Sequence, residues 1–313
     1  MEEYPRTLDD LEANFSTEEE CRAYLYRLRW PDGFQCPKCG HGKAWPVGRR
    51  LFQCKACGRQ TSVTAGTIFQ DSRTPLTKWF RAIWWVTSQK TGASALGLQG
   101  VLGLATYRTA WTWLHKLRRA MVRPGRDQLA GHVEVDETYW GAGKEGRRGR
   151  HLGKRALIVI AVEQVGRRGL GRIRMRRVPD ASADSLQAFI EEAIKPGSVV
   201  HTDGWLGYER VGNSGYRHRI TFLESRKEPP SDLLPRVHRV ASLLKRWLLG
   251  THQGAVRIEH LDYYLDEFTF RFNRRTSRHR GKLFYRLVQQ AVAVDAVPYK
   301  KLVGGKHNIL GSP

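Results

Sequence analysis

Two short cysteine pairs constrain the fold of this chain more than any other feature. Cys36 and Cys39 form one C-x-x-C turn, Cys54 and Cys57 form a second, and fourteen residues separate the two turns. Four thiolates that converge on one point bind zinc tetrahedrally, and two such turns facing each other across a short β-ribbon supply them. Two disulfides in a secreted protein are the alternative. The first residues lack the basic flank and apolar run of a secretion signal, so we predict structural zinc.

A ribbon of this size is too small to bury a core, so we expect metal binding to drive its folding. Cys21 is left over, and we expect it to pack as a small apolar residue on a helix over 16–29. Four bases cluster around the ribbon and suggest the hypothesis that it contacts DNA. These bases are Arg49, Arg50, Lys55 and Arg59.

The charge of the chain points to a polyanionic partner. Its 313 residues hold 53 Lys and Arg against 30 Asp and Glu, a formal charge of +23, although residues 1–35 alone carry nine acids and four bases. The 10 Trp, 11 Tyr and 11 Phe exclude a disordered basic tail. The longest apolar run, 156–162, is too short to span a bilayer. We therefore expect a soluble, cytoplasmic, nucleoid-associated protein of two or three domains that binds nucleic acid.

Residues 94–121 predict two helices separated by a turn at Gly103, which is the pattern of a helix-turn-helix. The second helix would begin with small and polar residues that face base edges in the major groove. These predicted DNA contacts are Thr106, Tyr107, Arg108 and Thr109. An ordinary helical hairpin that buries Trp111, Leu114 and Leu117 is the alternative, and both interpretations can hold together.

The second half of the chain carries the candidate chemistry. Asp136 lies within an apolar strand at 132–138, and Asp203 ends a short strand at 199–202. Burial of an acid in an apolar strand is costly unless a cation or a partner offsets it. Two such acids at neighbouring strand ends would bind a divalent metal that bridges phosphate oxygens. The alternative role is a turn or a cap, which fits Asp203-Gly204 better than Asp136.

The order of these motifs resembles the ISXO-like insertion-sequence transposases, a DDE-type group with a fused zinc ribbon. The resemblance covers about residues 16–292. It rests on the ribbon and helix-turn-helix together with four segments: VEVDETYWG at 133–141, HTDGW at 201–205, VHRVASLLKRWLLGTH at 237–252 and YLDEFTFRFNRR at 264–275.

This resemblance implies an α/β fold with an RNase H-like catalytic domain, a mixed five-stranded sheet with helices, that carries Asp136 on its first strand and Asp203 after its fourth. The third catalytic position falls on the following helix, where this chain has His238 in place of an acid. Lys245 lies two turns further on the same face, and it and Arg246 are expected to contact DNA. The implied segments are a helical 1–33, a ribbon 34–65, a helix-turn-helix-like region 66–124, the catalytic domain 130–292 and a tail 293–313.

A histidine at the third position is a departure from the general DDE pattern. Mg²⁺ favours oxygen ligands, whereas imidazole suits Mn²⁺ or a softer ion, so we expect Mg²⁺ or Mn²⁺ at a site formed by Asp136, Asp203 and His238. Several acids are rivals for the third role. They are Glu224, Glu228, Asp232, Glu259, Asp262, Asp266 and Glu267. We rank His238 first because of its spacing to Lys245, and expect Asp266 and Glu267 to support packing.

Two basic tracts are predicted to contact the DNA backbone on either side of this site. The first, 144–155, includes Arg147, Arg148 and Arg150, and the second includes Arg274 and Arg275. A solvated basic surface is the alternative for each. Trp205 could stack on an unpaired base, although packing is the more common role of a tryptophan.

The resemblance implies a transposase that binds the terminal inverted repeats of its element. It would cleave the 3′ ends with a divalent metal and transfer the freed 3′-OH to target DNA. Synapsis of two ends implies a homodimer or a higher oligomer on double-stranded DNA. The alternative is a zinc-ribbon DNA-binding regulator that has lost catalysis, an interpretation that His238 keeps open.

Overall fold

The structure, a computed structural model, describes residues 4–48, 50–123, 125–141, 155–167, 169–222 and 233–304. They fall into two units, one made of the described residues of Met1–Arg123 and Ser277–Lys306, the other of those of Pro124–Thr276. In chain order the elements are α1 (Leu8–Asn14), α2 (Glu18–Arg29), β1 (Ala44–Val47), β2 (Leu51–Cys54), β3 (Gln60–Ser62), α3 (Leu76–Ser88), α4 (Ala95–Leu102), α5 (Tyr107–Ala120), β4 (His132–Trp140), β5 (Ala156–Val165), β6 (Gly169–Val178), α6 (Ala183–Ala193), β7 (Val199–Asp203), β8 (Arg217–Thr221), α7 (Pro235–Gly250), α8 (Leu261–Phe272), α9 (Arg280–Ala291) and α10 (Tyr299–Val303).

The first unit begins with two helices that their own sequences cap. Thr17 accepts the Glu20 N–H at the start of α2, and Glu20 returns a bond to the Thr17 N–H, a capping box that satisfies two otherwise unpaired donors. Cys21 is fully buried, as predicted. The core of this unit is aromatic, with Phe15 and Phe80 centroids 4.8 Å apart and Phe284 of α9 within 6 Å of both. Helix α9 therefore belongs to the N-terminal core.

The cysteine segment forms a small antiparallel sheet. Strands β1, β2 and β3 lie in that order, and Ala44 is opposite Cys54 in the β1–β2 pair. The Phe52 ring of β2 contacts two rings near the end of α2: its centroid lies 5.1 Å from that of Tyr26 and 5.8 Å from that of Trp30. These aromatic contacts attach the ribbon to the end of α2.

The predicted pair of helices around Gly103 is confirmed as α4 and α5. Ser94 caps α4 by accepting the Gly97 N–H, and Thr106 caps α5 by accepting the Thr109 N–H. Gly103 ends α4 with φ +57°, in the left-handed region that favours glycine. Leu114 and Leu117 of α5 are buried, as expected for a helical hairpin, but Trp111 is only half-buried and Trp113 is the tryptophan that is buried.

The second unit is a five-stranded mixed sheet with the strand order β6-β5-β4-β7-β8. Strands β4, β5 and β6 are antiparallel neighbours, whereas β7 and β8 run parallel to β4. Helix α6 covers one face over Leu157 and Val159, and α7 and α8 cover the other over Ile158 and Ile160. This alternation along β5 explains its continuous apolar sequence, because both faces are buried. The RNase H-like α/β fold is confirmed.

Three elements were absent from the sequence-based expectations: β8, α9 and α10. The predicted catalytic domain extends to residue 292, but the unit that contains the sheet ends at Thr276. The reason is the apolar face of α9, since Leu283, Phe284 and Leu287 are buried in the first unit. None of the helices in the described part of the chain is long and apolar enough to cross a membrane.

Candidate active site

The strand registers place the two predicted catalytic acids on one face of the sheet. Glu134 of β4 lies opposite His201 of β7 in the parallel pair. Asp136 and Asp203 each follow two residues later, and side chains two residues apart in a strand share a face. Asp136 is 9% exposed, and the Glu137 N–H donates to its Oδ1 at 2.8 Å. The Trp205 N–H donates to Oδ1 of Asp203 at 3.1 Å, which fixes that carboxylate at the end of β7.

Helix α7 brings His238 to Asp136. The Nε2 atom of His238 lies 3.6 Å from Oδ2 of Asp136, although the two residues are far apart in sequence. This Nε2 is buried and makes no hydrogen bond within the described residues. A buried polar atom without a partner is costly, so its position facing a carboxylate calls for a ligand between the two. The structure thus brings Asp136 and His238, both predicted site residues, together.

The electrostatic environment keeps the His238 imidazole neutral. Burial lowers the pKa of His238 below its ordinary value, and the positive charge of Lys245 acts in the same direction, while Glu134 and Asp203 oppose them. A neutral imidazole has a free lone pair and can bind a metal ion. The influence of both Asp203 and Lys245 on this ring also shows that they lie in its surroundings.

The donor atoms of Asp136 and His238 fit a shared divalent ion. Two ligands each about 2.1 Å from an ion are about 3.0–3.6 Å apart at coordination angles of about 90–120°, and the observed 3.6 Å lies at the upper end of that range. Asp203 stands further off. Among the described residues only the four cysteines bring three or more possible ligand atoms within 4.8 Å of one another, so Asp136, Asp203 and His238 do not all converge that closely.

A residue that the sequence reasoning missed fixes the start of α7. The Glu134 carboxylate accepts the backbone N–H groups of Arg236 and Val237 at 2.7 and 3.0 Å, and it pairs with the Arg236 guanidinium at 2.6 Å. Helix α7 has no side-chain cap of its own, since Leu234 stands at the cap position. Glu134 therefore caps the helix from the neighbouring strand. The available signal was the spacing of Glu134 and Asp136, which places two acids on one face of a strand.

A second missed residue lies behind the acids. Tyr208 follows Asp203 in a short 3₁₀ turn, Leu206–Tyr208, and is fully buried. Burial raises the pKa of Tyr208 well above its ordinary value, and the negative charges of Glu137, Asp136 and Asp203 add to the effect. The phenol therefore stays protonated beside the three carboxylates.

Two of the rival acids are engaged in ion pairs. Asp262 pairs with Arg177 at 3.0 Å, and the fully buried Glu267 pairs with Arg271 at 2.8 Å. The packing role expected for Glu267 agrees with this geometry. Three other rivals lie outside the described residues: Glu224, Glu228 and Asp232.

The four ribbon cysteines converge as a zinc site requires. The sulfurs of Cys36 and Cys57 lie 3.6 Å apart, as do those of Cys39 and Cys54. Four thiolates about 2.3 Å from one zinc ion would be about 3.8 Å apart, so this donor set fits Zn²⁺. Desolvation would raise the pKa of Cys36, but hydrogen bonds from the N–H groups of Lys38 and Cys39 and from the Cys39 and Cys57 thiols lower it to about 6. All five cysteines of the chain are described, and none forms a disulfide.

Comparison with known proteins identifies two domains of the chain. The pattern of the ISXO2-like transposase domain matches residues 128–273, and that of the transposase zinc-ribbon domain matches residues 16–60. The chain therefore carries an ISXO2-like transposase domain after a transposase zinc ribbon. It is also 27% identical over 285 residues to an uncharacterized protein in transposable element ISH50 of Halobacterium salinarum, which covers 86% of this chain and 94% of the relative.

The four residues predicted to contact DNA at the start of α5 divide into two groups. The hydroxyls of Thr106 and Thr109 lie 3.0 Å apart and are engaged in capping α5. Tyr107 and Arg108 are exposed at the start of the same helix. The Arg108 guanidinium lies 4.7 Å from the centre of the Tyr299 ring of α10, a cation–π contact. DNA contact by these four residues stays a prediction.

The predicted backbone contacts of the transposase have different surroundings. Lys245 and Arg246 are exposed on α7. Arg274 and Arg275 each stack on a phenylalanine at 4.1 Å, and Arg275 also donates to the carbonyls of Leu170 and Gly171 on β6, two strands from β4. These contacts engage part of each guanidinium in the fold. Four other arginines predicted to contact DNA lie outside the described residues: Arg49, Arg147, Arg148 and Arg150.

Proposed function

We propose that this protein is an active DDE-type transposase. It binds the terminal inverted repeats of its insertion sequence, cleaves their 3′ ends and joins the freed ends to target DNA. The observation that carries the proposal is the approach of His238 to Asp136, with Nε2 and Oδ2 3.6 Å apart, on the sheet face that also holds Asp203.

Asp136, His238 and Asp203 are the residues that would hold Mg²⁺ or Mn²⁺. Bound there, the metal would supply Lewis-acid stabilisation of the phosphate and a more acidic attacking oxygen. Asp136 and His238 are spaced for one ion. In two-metal sites the ions are about 3.5–4 Å apart, so the more distant Asp203 suits the second ion of such a pair. The mixed oxygen and nitrogen donors favour Mn²⁺ more than an all-carboxylate site would.

The remaining residues bind and orient DNA. Lys245 lies seven residues after His238 on α7, which places its ammonium on the same helical face, where it can hold a phosphate beside the site. Tyr107 and Arg108 would contact base edges of the terminal repeat, and the basic side chains of the zinc ribbon would contact the DNA backbone. Because two element ends must be held together for strand transfer, the working form is a homodimer or larger oligomer.

The test is cleavage of a linear duplex that carries the element's own end, in Mg²⁺ and separately in Mn²⁺. We expect cutting by the wild-type protein and none by Asp136→Asn, with DNA affinity retained. His238→Ala should abolish strand transfer while binding persists. Asp180→Asn is the matched control, because Asp180 bonds Ser182 and Ser185 at the start of α6 on the surface. Binding without cutting in either ion would identify a non-catalytic DNA-binding regulator instead.

A further inference from the structure

The small sheet of the zinc ribbon presents one of its faces to solvent. The strand registers place Trp45, Gln53 and Gln60 in one row across β1, β2 and β3. Directly opposed residues of antiparallel strands share a face, so the three side chains lie on the same side of the ribbon. Phe52 alternates with Gln53 and points to the other side, where its ring contacts Tyr26 of α2. The row of Trp45, Gln53 and Gln60, the outer row, therefore faces away from α2.

An exposed tryptophan stands at one end of the outer row. The Trp45 side chain is 44% exposed, whereas tryptophan is a residue that proteins bury on average. It lies on β1, an edge strand of the ribbon sheet. The Nζ atom of Lys55 is 5.9 Å from the centre of the ring, a cation–π contact on the surface of the ribbon. The ring thus presents apolar surface beside a positive charge.

Two paired amides form the rest of the outer row. Gln60 donates an Nε2–H to Oε1 of Gln53 at 3.1 Å, and the Gln60 side chain is exposed. This bond restricts the rotation of the Gln60 amide and leaves it one N–H donor and its carbonyl oxygen. A donor and an acceptor on one amide match the N7 and N6 groups that adenine presents in the major groove. The pair therefore holds a glutamine in a form suited to an adenine edge.

The charges around the outer row favour DNA as its partner. Residues 33–70 hold six Lys and Arg and no Asp or Glu. Three of the six lie within two residues of the row and are exposed, namely Lys43, Lys55 and Arg59, and none of these three forms an ion pair with a residue that the structure describes. Uncompensated cations match the phosphates of DNA, whereas an apolar protein surface would leave them without a counterpart.

The dimensions of the outer row fit a single groove. Neighbouring strands are about 4.8 Å apart, so the two ends of the row, Trp45 and Gln60, are separated by about 10 Å. The major groove of B-DNA is about 12 Å wide and admits a β-ribbon. Both ends of the row would therefore reach base edges in one groove while the flanking cations contact phosphates.

We propose that the outer row of the zinc ribbon recognises A·T base pairs in the major groove of the element's terminal repeat. Gln60, oriented by Gln53, would bond an adenine edge, and Trp45 would contact the methyl group of a neighbouring thymine, a contact that apolar side chains make in the major groove. The proposal rests on the proposed transposase function, since it requires DNA of the element end. It makes the ribbon a second element that recognises sequence, besides the start of α5.

The test measures binding of the full chain, without added Mg²⁺ or Mn²⁺, to duplexes that carry the element's own end. In one series each adenine is replaced in turn by 7-deazaadenine, which lacks the N7 acceptor. In a second series each thymine is replaced by uracil, which lacks the methyl group. The wild-type protein should bind about 5-fold more weakly or worse when one particular adenine is replaced, and should also respond to a nearby thymine.

Variants assign these effects to the ribbon. Gln60→Ala should abolish the response to that adenine, and Trp45→Ala the response to the thymine, while Arg108→Ala should retain both. Trp45→Phe keeps an aromatic ring and should keep the thymine response. Gln35→Ala is the matched control, because Gln35 is an exposed glutamine of the same ribbon that lies outside its three strands, and it should change neither response. An unchanged zinc content in each variant shows that the ribbon is folded.

The outcomes distinguish the inference from the function on which it rests. If the wild-type protein binds the element end no better than an unrelated duplex, both are overturned. If binding is selective but Gln60→Ala keeps every response of the wild-type protein, or weakens both duplexes equally, base recognition by the ribbon is wrong and the transposase proposal stands. A change of association state in Trp45→Ala, seen by sedimentation without a change of response, would assign the outer row to a contact between copies of the chain and overturn the inference.

Discussion

The Glu134 carboxylate and the Arg236 guanidinium lie 2.6 Å apart, and this pair joins the strand that carries Asp136 to the helix that carries His238. Each member stands two residues before a proposed metal ligand, Asp136 or His238, on its own element. Arg236 also donates to the carbonyls of Arg167 and Gly169 in the β5–β6 hairpin. The position of His238 over the sheet therefore depends on a charge pair that lies outside the proposed set of metal ligands.

Loss of the Glu134–Arg236 pair should lower the stability of the second unit. Both side chains are nearly buried, so Glu134→Gln leaves the Arg236 charge without its counter-ion and the first turn of α7 without its cap. We expect a loss of about 3–5 kcal/mol in the free energy of unfolding, measured by urea titration of the full chain. Asp184→Asn, which breaks an exposed pair with Arg210, is the control and should change it by less than about 1 kcal/mol. Equal effects of the two variants would contradict the capping role.

Zinc should be bound by the ribbon cysteines alone. The Cys36–Cys57 and Cys39–Cys54 sulfur pairs are spaced for one tetrahedral ion, so Cys39→Ser should reduce the zinc content of the purified protein and unfold the ribbon. Release of zinc by a thiol-modifying reagent, measured with a colorimetric chelator, reports the content. A change in tryptophan fluorescence should follow, because Trp30 packs on Phe52 of the ribbon. Cys21→Ala is the control and should retain the metal, since Cys21 lies on α2.

Acid should destabilise the second unit before its carboxylates titrate. Burial lowers the pKa values of His201 and His218, with Arg219 adding to the effect on His201. Each ring bonds a threonine hydroxyl of the adjacent strand, at 2.7 and 2.9 Å. The unfolded chain therefore binds protons that the folded chain excludes. This contribution to stability is full above the ordinary histidine pKa of about 6.5 and is lost as the pH falls towards the lowered values.

The measurement is the urea midpoint of the full chain between about pH 7.5 and pH 5. We expect a midpoint that is level at the upper end and falls below about pH 6.5. The double variant His201→Asn, His218→Asn should flatten this decline. Parallel curves for the wild-type protein and the double variant would show that other groups cause it.

The sequence predicts elements whose pattern is local. Helix α3, Leu76–Ser88, has such a pattern, because its Trp and Phe residues recur at helical spacing. Strand β5 also has a local pattern, a continuous apolar run. By contrast, β8 has the sequence Arg-His-Arg-Ile-Thr, which lacks an apolar face because it is an edge strand with little to bury. Helix α9 was not predicted, because the arginines that precede it suggested a basic surface and not a helix.

The candidate site shows the same limit. The resemblance to a family pointed to Asp136, Asp203 and His238, and the structure brings Asp136 and His238 together. The Glu134 cap on α7 joins residues 102 positions apart, and neither partner carries a local cap signature. Contacts of this kind depend on how a strand and a helix pack, which no short segment specifies.

Arg108 should contribute more to sequence-specific DNA binding than a basic residue elsewhere on the same helix. It is exposed at the start of α5, where a recognition helix contacts base edges, so Arg108→Ala should weaken binding to the element end by about 1–3 kcal/mol. Arg119 lies three turns further on the same helical face and serves as the control. Arg119→Ala should affect specific and unrelated duplexes equally, as a phosphate contact would. Equal selectivity loss in both variants would contradict a reading role for the start of α5.

Tyr299 should act on DNA binding through Arg108. Its ring lies 4.7 Å from the Arg108 guanidinium and 6.3 Å from the Trp111 ring, and Leu302, one turn on, is fully buried, so α10 is fixed against α5. Tyr299→Ala removes the surface that orients the guanidinium and should weaken specific binding by about 0.5–1 kcal/mol, the size of an exposed cation–π contact. Tyr299→Phe keeps the ring and should bind normally. In a double-mutant cycle, Tyr299→Ala should cost nothing further once Arg108 is alanine, whereas additive losses would mean that Tyr299 contacts DNA independently.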